Sequence, residues 1–338
     1  MRQSYTRVQN LKMKFKVLSV AFSCLAILPV SAQEVGEYGF LKLPVSSHAA
    51  ALGGEAISVV EPDAVLADQN PALLCPQMSR QLNLSYMNYL QDVNIGYASY
   101  TGSFLKEGAW QAGARYLDYG DFAGYDEFGN YTSDFSAKDL SFQFGVGYPI
   151  NERMRVGAST RAIYSKYESY SAFAIGVDVG LNYYNEATGR SLSLVVSNLG
   201  GQLKHFDNRQ CKLPTQLSLG ITKEVEHLPF CFTLTAVDLL DWHQDYVDSK
   251  GRQHEYNNSE QLLNHLLWGV EWIASENFFA AAAYSYRRQR EFSGDGGFLR
   301  GISIGAGLKF RQLKVQASYA SYNAVDGSLL IGLGYTIK

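Results

Sequence analysis

The sequence predicts an all-β protein: a 14-stranded antiparallel outer-membrane β-barrel with an N-terminal plug segment. Three observations carry the prediction. Segments of roughly 10 residues alternate apolar with small or polar side chains at a period of two. The chain ends inside such a segment, "SLLIGLGYTIK" at residues 328–338, which leaves an open edge unless another strand pairs with it. The connections between segments alternate in length, with short ones on one side and several long, polar ones on the other.

Residues 1–32 read as an export signal peptide. Arg2, Arg7, Lys12, Lys14 and Lys16 form a basic start, an apolar run covers Val17 to Val30, and Val30-Ser31-Ala32 gives a small-residue exit before Gln33. Cys24 follows Ala21-Phe22-Ser23, a poor lipoprotein context. Removing this stretch takes away five basic residues and no acidic one, so the formal charge moves from -3 to -8. An acidic mature chain argues against a nucleic-acid partner. Cys75, Cys211 and Cys231 then remain, without CxxC or metal spacing, and leave room for one disulfide at most. No later stretch reaches the roughly 18 apolar residues of a membrane-spanning helix. The remaining fates of an exported chain are periplasm, medium or an outer-membrane barrel.

Residues 33–80 do not alternate, and they form the expected plug. Gly53 and Gly54 permit positive φ, and Asn70-Pro71 initiates a turn. Ala49, Ala50, Ala51, Leu52, Ala56, Ile57, Val59 and Val60 demand burial, which a barrel interior supplies.

Residues 81–338 form the expected barrel. Strands are predicted near 81–90, 94–104, 109–120, 139–150, 154–169, 171–185, 191–200, 216–225, 229–240, 262–274, 277–291, 299–310, 313–323 and 327–338. In "DLSFQFGVGYPI", Leu140, Phe142, Phe144, Val146, Tyr148 and Ile150 oppose Ser141, Gln143, Gly145 and Gly147. The second face carries Gly, Ser, Gln and Asn where the outer face of a soluble sandwich would carry charge. Segment 262–274 also admits a helix, but Leu266, Trp268, Val270 and Trp272 alternate with their neighbours and favour a strand. Trp110, Tyr148, Tyr183 and Tyr335 at strand ends fit an aromatic girdle and count against a periplasmic sandwich or propeller. The long connections 121–138, 201–215 and 241–261 fall on the extracellular side.

Catalytic chemistry is not expected. No nucleophile motif occurs, and "SGDGG" at 293–297 lacks the Lys-Ser/Thr of a phosphate-binding loop. No cofactor or metal is expected, since the His and Asp residues of "DWHQDYVDSKGRQH" match no ligand spacing. Arg115, Arg161, Asp178, Glu271 and Lys309 fall on predicted lumen faces, where pairing among them is the expected role. Trp242, His243, Tyr246 and Tyr256 make loop 241–261 the candidate partner-binding loop, because Tyr and Trp give large contact area at low entropic cost.

The string "GEYGFLKLPVSSHAAALGGEAISV" with "NPALL", followed by "YLDYGDF", "DEFGN" and "LVVSNLGGQLK", resembles the FadL-like fatty-acid transporters and the PorV/PorQ family of the type IX secretion system. The likeness runs from about Gly36 to the end of the chain. It implies a fourteen-stranded barrel. It further implies a non-enzymatic component of an attachment complex that anchors the surface protein PorZ, and PorU with PorV, for joining cargo to lipopolysaccharide. The alternative it implies is a channel or carrier for hydrophobic compounds. That alternative calls for a kinked strand, and the prolines at 44, 62, 71, 76, 149, 214 and 229 avoid strand interiors.

Overall fold

A computed structural model describes residues 38–90, 92–207, 210–243, 246–247, 253–254, 256–291, 298–322 and 327–338. The expected signal peptide and the glycine-rich 293–297 lie outside them. Fourteen strands close a barrel: β1 (Gln81–Leu90), β2 (Val93–Phe104), β3 (Gly108–Tyr125), β4 (Tyr131–Pro149), β5 (Met154–Tyr167), β6 (Tyr170–Asn185), β7 (Arg190–Lys204), β8 (Gln216–Glu224), β9 (Phe230–Ala236), β12 (Leu266–Ser275), β13 (Phe278–Ser285), β14 (Ile302–Phe310), β15 (Leu313–Ala320) and β16 (Ser328–Thr336). Two further short strands, β10 (Tyr246–Val247) and β11 (Gln253–His254), pair with each other outside the barrel.

Every barrel pairing is antiparallel, and β16 closes on β1 from Gln81↔Thr336 to Asn88↔Leu329. Closure satisfies the backbone of the terminal strand that the sequence leaves open. The faces divide as the alternation requires. Phe142, Phe144, Ile304, Leu308, Ile331 and Leu333 are exposed outward, whereas Ser141, Gln143, Asn182, Ser193 and Thr233 are buried inward. An apolar exterior around a polar interior is the signature of a barrel in lipid, and this chain is a multi-pass outer-membrane β-barrel. Trp110 lies 5.8 Å from Tyr100 and 6.0 Å from Phe144, ring centre to ring centre, near the end where the chain's short turns gather.

Four expectations about the elements are corrected. Residues 121–138 are not a loop, because β3 and β4 run on through them as one hairpin to the turn at 126–130. Beyond the membrane the outward face no longer meets lipid, so the apolar alternation fades while the ladder continues. Residues 286–291 form helix α3 (Tyr286–Glu291) rather than extending β13. Residues 262–264 belong to helix α2 (Asn258–Asn264), whose N-cap Asn257 makes a full capping box with Glu260. The strand expected at 229–240 likewise stops at Ala236.

Residues 38–80 lie inside the barrel as short helical pieces. Helix α1 (Ser47–Ala51) is capped by the Ser46 hydroxyl, which accepts from the Ala49 amide at 3.2 Å. Ala49, Ala51 and Leu52 pack on Phe279 and Ala281 of β13. The 3₁₀ turn Pro71–Leu73 lies against β4, β5 and β6. That contact needs glycine: a Cβ at Gly157 would run into the Pro71 backbone, and one at Gly180 into the Asn70 side chain.

Candidate functional site: a plugged lumen with a cavity at each end

The strand turns fix two ends. The chain's last strand and the short turns share the periplasmic end; the hairpin of β3 and β4 marks the extracellular end. A cavity of about 550 Å³ opens at the extracellular end, and one of about 430 Å³ at the periplasmic end. Between them the plug leaves a polar hollow of only about 40 Å³.

The extracellular cavity is two-faced. Phe40, Leu43, Tyr89, Val93, Leu117 and Tyr322 line one part, and Lys42, Glu55, Asp238 and Arg287 another. Lys42 Nζ and Arg287 Nη1 reach the Asp238 carboxylate at 2.8 and 3.0 Å, and these two cations hold Asp238 below its ordinary range despite its burial. Arg288 donates to the carbonyl of Gly53 and to the Ser303 hydroxyl and stacks over Tyr322. Glu55 accepts from the Ser218 hydroxyl at 2.9 Å and from the Gln216 amide. Burial, reinforced by the nearby Asp238 charge, pushes the Glu55 carboxyl up to about 7. Asn264 is buried beside this space, and neither end of its side-chain amide has a hydrogen-bond partner among the described residues.

The middle layer ties plug to wall. Arg115 Nη2 meets Asp68 Oδ2 at 2.9 Å, and its Nη1 donates to the carbonyls of Phe40 and Leu43 at 2.9 and 3.2 Å. Arg161 lies 3.4 Å from Asp178 and 3.9 Å from Asp68. Asp178 also accepts from Ser159 Oγ and from the Asn198 amide, both at 2.7 Å. Of the five lumen charges expected from sequence, Arg115, Arg161, Asp178 and Glu271 are buried in the lumen. Lys309 is not; it is exposed at the periplasmic rim.

The plug motif occupies two strained or close-packed points. Gly53 and Gly54 take φ of +98° and +103°, conformations that side chains rarely adopt. Asn70 caps the turn begun by Pro71: its Oδ1 accepts from the Ala72 amide at 3.0 Å, and its Nδ2 donates to the Ile57 carbonyl at 2.7 Å. The candidate partner loop does not present its residues as one set. Trp242 stacks on buried His265 at 4.8 Å, His243 is exposed, and Tyr256 is buried. The Tyr246 backbone belongs to β10. Tyr256 is therefore lost as a surface contact.

One cluster was not legible in the sequence. At the inner end of the periplasmic cavity, His48 Nδ1 lies 3.4 Å from Glu61 Oε2, and its Nε2 lies 3.2 Å from Glu271 Oε1. His48 is fully buried and lies tilted against the Phe279 ring, 4.2 Å between ring centres. Burial depresses an imidazole, but the two carboxylates outweigh it and raise His48 to about 10. The only sequence signals were a histidine within the apolar "SSHAAAL" and a glutamate on an inward strand face.

No protein-family model and no curated protein sequence matches the chain. Solved structures of similar fold include the CymD monoaromatic hydrocarbon channel, with a TM-score of 0.52 at 14% identity, covering 86% of this chain and 96% of that one. The Pseudomonas putida toluene transporter TodX gives 0.47 at 13% identity, covering 85% and 96%. A Pseudomonas aeruginosa FadL homologue gives 0.46 at 11% identity, covering 87% and 98%. The likeness is one of fold, a closed outer-membrane β-barrel.

Proposed function

We propose that this barrel is a channel or carrier for small hydrophobic compounds that bear a polar end. The observation that carries this reading is the extracellular cavity: at about 550 Å³ it matches a small-molecule site, with an apolar part beside a cluster of charged and amide groups. The CymD channel, of similar fold, handles monoaromatic hydrocarbons by its name. A compound with an aromatic or alkyl body would lie against Phe40, Leu117 and Tyr322 and turn its polar end to Lys42 and Arg287. Passage beyond it requires the plug to shift, because the middle layer is packed and charge-paired. Titrating the purified barrel with a fluorescent fatty acid or a monoaromatic alcohol tests the reading. Saturable binding that Leu117→Trp weakens at least tenfold supports it; no saturable binding to the wild type defeats it.

A second reading keeps the attachment-complex role that the PorV/PorQ resemblance implies. The hairpin of β3 and β4 favours it, since Phe128, Tyr125 and Tyr131 are 88%, 65% and 59% exposed at its tip. An exposed aromatic tip suits a protein partner such as PorZ, or PorU with PorV. Pull-down from solubilised outer membranes, with and without residues 122–135, separates this reading from the first.

A further inference from the structure

We propose that His48, Glu61 and Glu271 form a binding site for a divalent transition-type cation, zinc by its ligand set, which fastens the plug to the barrel wall. One ligand atom from each residue can be chosen so that all three lie within 4.8 Å of one another. The 3.2 Å contact from His48 Nε2 to Glu271 Oε1 is close to the ligand-to-ligand edge of a zinc tetrahedron, about 3.3 Å for bonds of about 2.0–2.1 Å, and Glu61, 3.4 Å from the other ring nitrogen, would swing toward the Nε2 side to complete the set. Both contacts are also poor hydrogen bonds. Among the described residues, both ring nitrogens of His48 and Oε1 of Glu271 are buried without a well-aligned hydrogen-bond partner. Buried ligand atoms this close together and poorly served by hydrogen bonds are what a bound cation would satisfy.

Charge balance agrees. Lys314 Nζ is 3.0 Å from Asp63 Oδ2, which also accepts from Gln316 at 3.2 Å, and 3.7 Å from Glu61 Oε2, so one ammonium faces three carboxylates. Two negative charges are left over for one dication, which binds neutral His48 and so displaces the imidazolium proton. The imidazole selects a borderline metal such as zinc over calcium or magnesium, which prefer all-oxygen sets. A fourth position has an access route, since Glu61 lines the 430 Å³ periplasmic cavity from which water reaches the cluster.

The three ligands come from three places. His48 is on α1, Glu61 on the stretch that follows it, and Glu271 on β12. A metal there would join both plug segments to the wall in one set of bonds, and its loss would loosen the plug beside the periplasmic outlet.

The test uses the full mature chain without a histidine tag, in detergent, stripped with a chelator and titrated with zinc chloride at pH 7.5. The expected result is one zinc per chain, a raised unfolding midpoint, and loss of both in His48→Ala and Glu271→Gln. Cobalt(II) in place of zinc should give the intense visible absorption of a low-coordinate site in the wild type. If His48→Ala fails to give a heat-modifiable band, Glu61→Gln, on the half-buried ligand at the cavity edge, carries the comparison. Absence of stoichiometric zinc uptake by the wild type overturns the proposal. So does uptake that is unchanged in every ligand variant, which would place the metal on the exposed histidines.

Discussion

The two halves of the barrel wall differ in height and in how they hold the plug. Strands β3 to β7 run 14 to 19 residues, well beyond the roughly 9–11 needed to cross the membrane, whereas β8, β9 and β12 to β16 run 7 to 10. The tall half rises as open ladder into the extracellular space. The low half ends near the membrane surface, and helices α2 and α3 follow it there, joined by Arg290 and Tyr286 reaching Glu260 at 3.1 and 3.2 Å. Inside, the tall half receives the Pro71–Leu73 turn through glycines that let backbone lie on backbone. The low half receives α1 through apolar packing and the His48–Glu271 contact. A tall wall needs no roof, and a short one must satisfy its loop polar groups with helices; the plug meets the tall side through glycine contacts and the Asp68 ion pairs, and the low side through the apolar face of α1 and His48.

The sharpest break of that comparison is removal of residues 332–338. This strips the low half of most of its ladder to β1, and no heat-modifiable barrel should form; normal amounts of a gel-shifting deletion would refute closure. Next in size is Asp68→Asn, which leaves buried Arg115 and Arg161 short of a counter-charge on the tall side. The expected loss is about 3–5 kcal/mol, read as a lower urea midpoint. Adding Arg115→Met should recover part of it.

Gly157→Val tests the glycine contacts. It should destabilise by about 1–3 kcal/mol and raise leak conductance in planar bilayers, since the Pro71 turn must back away. Gly96→Val, where an added Cβ meets nothing, is the control and should leave both unchanged. Glu55, in the plug beneath the low half, gives a pH test. Its folded pKa of about 7 exceeds the ordinary 4.5, so the native state holds the proton more tightly. Its contribution is full below pH 4.5 and is lost as pH rises through 7. Melting at pH 5 and pH 8 should show the wild type losing more than Glu55→Gln; equal losses would remove Glu55 as the cause. The smallest stability effect belongs to Phe128→Ser at the exposed hairpin tip, within about 0.5 kcal/mol by chemical denaturation.

Much of the wall was readable because strand periodicity is local. Leu140 to Ile150, Phe173 to Tyr183 and Leu329 to Ile337 each carry their own inside and outside, so strand number, lipid face and the β1–β16 closure follow from short windows. Residues 121–138 read as a loop because alternation in sequence reports lipid, and above the membrane there is none to report. Residues 286–291 read as strand because "YRRQRE" fits either state locally; its position beside α2 settles it as helix.

What the sequence by itself determined is therefore a closed outer-membrane barrel with a non-alternating segment needing burial ahead of it. Only the tertiary structure decided what that segment meets. Asp68 facing Arg115, Asn70 lying on Gly180, and His48 between Glu61 and Glu271 are encounters between residues far apart in the chain. Side-chain periodicity fixes which way each residue points from its own strand, but the partner it meets across the lumen depends on the path of the plug, which has no period to read.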